Sequence, residues 1–369
     1  MQFSYNQVRI ESLGYTLPET TVSSGGIEQH LEPLYQRLKL PAGRLELMTG
    51  IANRRFWPAG TAISDISRSS CQLALQAAGV DPSRVGLLVH GSVCRDHLEP
   101  ATACRVHRGC GLPDACQIYD VSNACLGILN GMIQAANMIE LGQIEYALVV
   151  GSENGRGLVD ATIQELNQNR NLNRKTIKNS IASLTIGSAS CAVLLSGRGG
   201  AGGARLVGGA AAANTRYNDL CRSLGDRAGG EMQPLMETDS EALMLQGIET
   251  GRQTFQRFLE QTGWHRSAVG QTICHQVGSA HRKLMLEAIG MDSGRDFVTY
   301  PDLGNTGSAA LPVTLARAVE ANHLVADDAV GLLGIGSGIN CLMLGLEYAP
   351  IACRGRETDC FESLEPATG

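Results

Sequence analysis

A chain of 369 residues, 43% of them hydrophobic, is long enough for two domains or one doubled unit around a large core. Its net charge of -6, with no lysine- and arginine-rich tract interleaved with aromatics, argues against nucleic acid as a main partner. The 12 cysteines stand at irregular spacings that suit reduced thiols better than a disulfide framework, and the densest group, Cys104, His107, Cys110 and Cys116, lacks the paired spacing of a structural zinc site.

The N-terminal MQFSYNQVRIESLGY alternates apolar and polar residues like a strand and has no secretory-signal pattern, so a cytoplasmic chain is expected. Strand-like runs follow at 85–93 (VGLLVHGSV), 117–121 (QIYDV), 146–153 (YALVVGSE) and 190–197 (SCAVLLSG). Helical patterns separate them, including LGILNGMIQAANMIEL, and this alternation predicts an α/β sheet covered by helices. After a flexible-looking GRGGAGG at 197–203 the pattern restarts with a strand at 204–211, a long helix at 240–263 and a buried strand at 271–278 (QTICHQVG). SRVGLLVHGSV matches SAVGQTICHQVG in position, and IELGQIEYALVVGSE matches NHLVADDAVGLLGIGSG.

This echo predicts two copies of one αβ unit, residues 1–200 and 201–348, with the carboxyl ends of their central strands brought together. Ligands favour that place in open α/β sheets. Residues 349–369 have weak periodicity and mixed polarity and read as a loosely ordered tail. Two uncharged stretches, 181–197 and 329–346, are broken by glycine, serine and asparagine, so each reads as two buried strands joined by a turn, not as a membrane-spanning helix.

Cys125 lies in DVSNACLGILNG, where a strand gives way to a helix. Unpaired N–H groups and the positive end of the helix dipole favour a thiolate there, although a small buried cysteine is the alternative role. His275 ends QTICHQ, and Asn305 stands in DLGNTGSAALPVTLARAVE, where a loop precedes a helix. Cysteine with histidine and an amide is a nucleophilic constellation, while singly the histidine suits a core and the asparagine a turn. No serine-nucleophile elbow, Walker A stretch or dinucleotide glycine triad competes with it, so no redox cofactor and no metal are expected.

Together DVSNACLG, ICHQVG, GNTGSAALP and GIGSGIN, with TGIANRR at 49–55, resemble the thiolase-fold condensing enzymes of the ketoacyl synthase III branch over about residues 5–348. The resemblance implies two duplicated halves in a five-layer αβαβα arrangement and a Claisen condensation of acyl thioesters. Cys125 would be acylated by the first thioester. The N–H groups of Cys125 and Ser337 would hold its oxyanion, and His275 with Asn305 would stabilise the enolate of the second.

The segment RDHLEPATA, with Glu99 26 positions before Cys125, together with LCRSLGDR and GIGSGINCLML, is similar to the OleA group of acyl-CoA condensing thiolases from bacterial long-chain olefin biosynthesis. That likeness implies fatty acyl-CoA substrates, a homodimer in which Glu99 reaches across the interface as the base, and a 2-alkyl-3-ketoacid or its thioester as product. CoA would enter only as part of the substrate, and downstream hydrocarbon-biosynthesis enzymes would be partners. Arg54, Arg55 and Arg222 are expected as surface contacts for the CoA phosphates. Condensing two simple acyl groups needs a strong base, which an apolar channel would make of a carboxylate, whereas losing carbon dioxide from a malonyl group does not. A decarboxylating 3-oxoacyl-acyl carrier protein synthase III and a noncatalytic thiolase-fold scaffold subunit are the alternatives.

Overall fold

The computed structural model describes residues 1–197, 202–224 and 235–361. Five strands of the first half, β1 (Arg9–Leu17), β2 (Val85–Gly91), β3 (Gln117–Val121), β4 (Tyr146–Glu153) and β5 (Ala189–Ser196), lie side by side in the order β3-β2-β4-β5-β1. β2 is parallel to β3 and β4, and β5 is antiparallel to β4 and β1.

The second half repeats this plan. β6 (Ala204–Ala213), β7 (Val269–Cys274), β8 (Ala329–Gly336) and β9 (Asn340–Glu347) follow the order β7-β8-β9-β6, with β7 parallel to β8 and β9 antiparallel to both neighbours. A single parallel bridge between Thr272 and Asp296 flanks β7 where β3 flanks β2. Among the described residues β1 and β6 join the two sets at two residue pairs, Arg9 with Arg205 and Ile10 with Ala204. The proposed boundary near residue 200 falls in residues 198–201, outside the described residues.

Six helices complete the layers: α1 (Ile63–Ala78), α2 (Thr102–Cys110), α3 (Gly127–Glu140), α4 (Ser240–Thr262), α5 (Ser279–Ile289) and α6 (Ala310–Glu320). Successive strand residues point to opposite faces, so each sheet feeds two cores. Ile128 and Met132 of α3 and Leu311 and Leu315 of α6 share a central core with Val89 and Val149 on one side and Leu332 and Leu344 on the other. The alternate residues Leu88, Leu148 and Leu194 meet Ala74 of α1 and Val106 of α2 on one outer face. Leu333 and Met343 meet Phe255 and Phe258 of α4 and Met285 of α5 on the opposite one. The result is the expected five-layer αβαβα arrangement.

Three sequence expectations need correction. β1 is buried at every position after Arg9, not on one face only, because its polar face packs against α1. Ser12 Oγ donates to the Ala74 carbonyl (2.7 Å), and Thr16 bonds Ser70 (2.9 Å), so these hydroxyls are satisfied without water. The tail is ordered through Phe361: beyond Ile10, β1 turns from β6 and takes β10 (Ala352–Glu357) as a parallel partner. An edge strand buries little of itself, which left the polar ACRGRE without a readable pattern. Residues 362–369 lie outside the described residues.

Stretch 181–197 holds one helical turn, Ile181–Leu184, and then β5, because Ile181 and Leu184 at helical spacing face a separate apolar cluster. Stretch 329–346 is two strands joined by a turn, as expected. Among the described residues no helix is long and apolar enough to cross a membrane.

Candidate active site

The carboxyl end of β3 and the start of α3 are separated by a tight turn that holds Cys125. Ala124 takes φ 45°, the left-handed region that costs a side-chain-bearing residue about 1–2 kcal/mol, and the Asn123 carbonyl accepts the Leu126 N–H (2.9 Å). No side chain caps α3, so its first N–H groups are left for whatever occupies the space before it. The turn after β8 closes on the same spot: a Cβ on Gly336 would come within 3.4 Å of the Cys125 nitrogen. Asn340 Nδ2 donates to Asn123 Oδ1 (3.0 Å), and Asn123 Nδ2 donates to Asn130 Oδ1 (2.7 Å), stitching the two turns together.

His275 follows β7 directly, its N–H donating to the Leu333 carbonyl (3.1 Å). Gln276 fixes the next segment: its Nε2 donates to the Cys274 carbonyl (2.6 Å), and its Oε1 accepts the N–H groups of Thr299 (2.8 Å) and Tyr300 (3.1 Å). That segment leads to Asn305, whose own backbone is bound to the first half through Thr185 and Gly187 (both 2.9 Å). Asn305 Oδ1 accepts the Gly307 N–H (3.1 Å), which makes Nδ2 its donor end toward open space.

Cys125, His275, Asn305 and Ser337 all line one cavity of about 1460 Å³ between the halves. This exceeds the roughly 300–1000 Å³ of a pocket for one drug-sized ligand. Burial pushes the Cys125 thiol up to about 12, with smaller contributions from the charges of Glu153 and Cys221. Burial thus favours the thiol, against the thiolate expected at a helix start. Burial, then the neighbouring His281, pulls His275 down to about 3, and burial alone pulls His281 down to about 4, so both imidazoles are neutral near pH 7.

Glu99 is exposed and is not among the cavity-lining residues. It rides on the segment between β2 and α2, beside exposed Val93 and Leu98. Arg222 lines the cavity, with its guanidinium 3.5 Å from Glu237. The other two arginines are placed differently from expectation. Arg54 is fully buried and donates to Ser24 Oγ (2.9 Å), and Arg55 pairs with Glu357 of β10 (2.8 Å); neither lines the cavity. Arg95, Lys175 and Lys178 are further exposed cations on its wall.

Glu153, Gln276 and His281 were missed. In Glu153 a signal existed: a carboxylate ending the apolar run YALVVGSE is costly unless it has partners.

Residues 47–191 match the family described as thiolase, N-terminal domain, and residues 259–348 that of 3-oxoacyl-[acyl-carrier-protein (ACP)] synthase III C terminal. Fold and site thus define a thiolase-fold acyltransferase. The chain is 40% identical to the acyl-CoA:acyl-CoA alkyltransferase of Shewanella oneidensis, covering 93% of this chain and 99% of that protein. It is 33% identical to the acyl-CoA:acyl-CoA alkyltransferase of Xanthomonas campestris, over 92% and 98%. A cysteine-to-serine variant of Xanthomonas campestris OleA, solved with bound lauric acid and lauroyl-CoA, superimposes with a TM-score of 0.86 at 32% identity, covering 93% of this chain and 100% of that one. This protein belongs to the acyl-CoA:acyl-CoA alkyltransferase (OleA) family. Other variants of that Xanthomonas protein replace the same cysteine, a glutamate and a histidine, and its glutamate precedes its cysteine by the spacing that separates Glu99 from Cys125.

Proposed function

We propose that this protein joins two fatty acyl-CoAs head to head by a Claisen condensation without decarboxylation, giving a 2-alkyl-3-ketoacid or its thioester. The observation that carries this reading is the single cavity at which Cys125 from the first half meets His275 and Asn305 from the second. Family membership supplies the substrate class.

In the first half-reaction Cys125 Sγ attacks the acyl carbonyl, and its proton leaves with the departing CoA thiol. The N–H groups of Cys125 and Ser337 receive the oxyanion. In the second, His275 and Asn305 Nδ2 donate to the carbonyl of the incoming thioester. A histidine held near pKa 3 is a poor base but a good neutral donor, which suits this role.

Glu99 of a partner subunit takes the α-proton, and the carbanion attacks the acyl group on Cys125. The carbon–carbon bond forms as the thiolate departs and regains a proton from Glu99. In this reading the protein is a cytoplasmic homodimer, its product passes to hydrocarbon-forming enzymes, and Arg222, Arg95, Lys175 and Lys178 receive the CoA phosphates.

The test is product identification by mass spectrometry from one long-chain acyl-CoA without any malonyl compound. The expected outcome is the condensed 2-alkyl-3-ketoacyl-CoA, or the ketoacid that water releases from that thioester, with Glu99→Gln still acylated on Cys125 yet unable to condense. Turnover that requires a malonyl donor and is indifferent to Glu99→Gln would overturn the reading, as would the absence of any acyl adduct.

A further inference from the structure

Glu153 closes β4 at 5% exposure and lines the cavity, yet the mechanism above gives it no step. Its carboxylate accepts four hydrogen bonds from two separate segments. Oε1 takes the Val93 N–H (3.1 Å), the Ser308 N–H (3.3 Å) and the Ser308 hydroxyl (2.5 Å), while Oε2 takes the Cys94 N–H (3.2 Å). Ser308 belongs to the loop that presents Asn305. Val93 and Cys94 open the segment that carries Glu99 six residues after Val93.

The chain is shaped for this junction. Gly307 has φ 56°, and a Cβ there would lie 3.0 Å from the Glu153 side chain. The Glu99 segment is fastened again farther along. Asp96 accepts the Ile63 N–H (2.7 Å), and Asp120 accepts the N–H groups of Thr102 (2.8 Å) and Ala103 (2.9 Å) at the start of α2. Glu153 alone among these carboxylates also grips the Asn305 loop. Replacing one oxygen by an amide would turn an N–H toward the Cys94 N–H, donor against donor.

We propose that Glu153 is a positioning residue that links the Asn305 loop of its own active site to the arm bearing Glu99, so that ordering one site also sets the arm offered to the neighbouring subunit. This rests on the reading that Glu99 works across a dimer. A displacement of the arm by about 1 Å is enough to cost on the order of 100-fold in a proton transfer that depends on alignment.

Mixed dimers test it. One subunit carries Glu99→Gln with Cys125 intact; the other carries Cys125→Ala with Glu99 intact and a second affinity tag, so that only heterodimers are purified. Their single working site uses the Glu99 of the subunit whose own site is dead. Adding Glu153→Gln to that arm-donating subunit alone is expected to lower condensation about 10- to 100-fold, while acylation of Cys125 in the other subunit changes less than about 3-fold. Glu153→Asp, which keeps the charge, serves if the glutamine variant does not assemble, and is expected to retain more activity. Condensation unchanged within about 2-fold would overturn the coupling. If the heterodimer with intact Glu153 is itself inactive, the reading of Glu99 across the interface fails first, and the two failures are told apart.

Discussion

β2 and β7 hold the same place in the two halves, yet β2 runs into the exposed arm that carries Glu99, whereas β7 stops at buried His275. The next junction diverges in the same way. β3 leads to Cys125 and the inner helix α3; the bridge at Asp296, its counterpart, leads to Asn305 and the inner helix α6. A duplicated unit supplies two similar sets of strand ends, and the chemistry needs them unlike: one must offer a nucleophile, the other hydrogen-bond donors. The outer faces differ as well. α1 is held on the first sheet by hydroxyls, with Ser67 bonded to Ser152 and Ser70 to Ser190 (both 2.7 Å), while α4 uses the rings of Phe255 and Phe258.

The contrast can be broken at its strongest point first. Cys125→Ala should remove the acyl adduct and reduce condensation on the order of 10⁴-fold or more, the scale set by removing a covalent nucleophile. Intact-protein mass after mixing with acyl-CoA reads the first effect and CoA-release rates the second. His275→Ala and Asn305→Ala, on the donor side, should each cost about 100- to 1000-fold in condensation while leaving the adduct in place. Equal loss of acylation and condensation would deny the division of labour between the halves.

Stability should separate the outer faces. Phe258 is fully buried, stacked on Phe255 at 5.7 Å and edge-on to Trp264 at 5.7 Å, so Phe258→Ala should lower unfolding free energy by about 3–5 kcal/mol. Ser70→Ala should cost about 1 kcal/mol, since it removes one bond each from Thr16 and Ser190, which keep Ser69 and Ser152 as partners, and leaves little empty volume. Urea midpoints at constant m-value provide the comparison. A serine variant as damaging as the phenylalanine one would mean that the polar face carries more of the fold than its bond lengths suggest.

A further effect is on pH dependence. His275 and His281 have folded values of about 3 and 4, against 6.5 for a free histidine, and burial lowers His90 too. Below pH 6.5 the unfolded chain takes up protons that the folded one refuses, so stability falls as pH drops from 6.5 toward 4 and is indifferent to these groups above it. Each histidine contributes at most about 1.4 kcal/mol per pH unit. His281→Gln should flatten the slope between pH 7 and pH 5 measured by urea unfolding, and an unchanged slope would show that His281 is not held neutral.

The strands β3 and β4 were legible to the residue, because apolar runs bounded by turn formers have few other solutions, and the echo between QTICHQVG and VGLLVHGSV disclosed the duplication. Cys125 and His275 could be named because each stands where a strand ends, Asn305 because its loop precedes a helix, and Ser337 through the family resemblance; all four line one cavity. The charge state of Cys125 was not legible. A dipole is local and can be inferred from a helix start, but desolvation depends on what the other half of the chain brings over the sulfur.

Sequence by itself therefore determined the alternating elements, the repeated unit and the residue types of the site, since hydrophobic period and turn chemistry act over a few neighbours. Only the tertiary structure decided that Arg54 is buried, that residues 352–357 complete the sheet beside β1, and that Glu153 grips two loops at once. Those facts come from partners 30 to 340 residues apart in the chain, and burial, pairing and charge at such distances are set by packing.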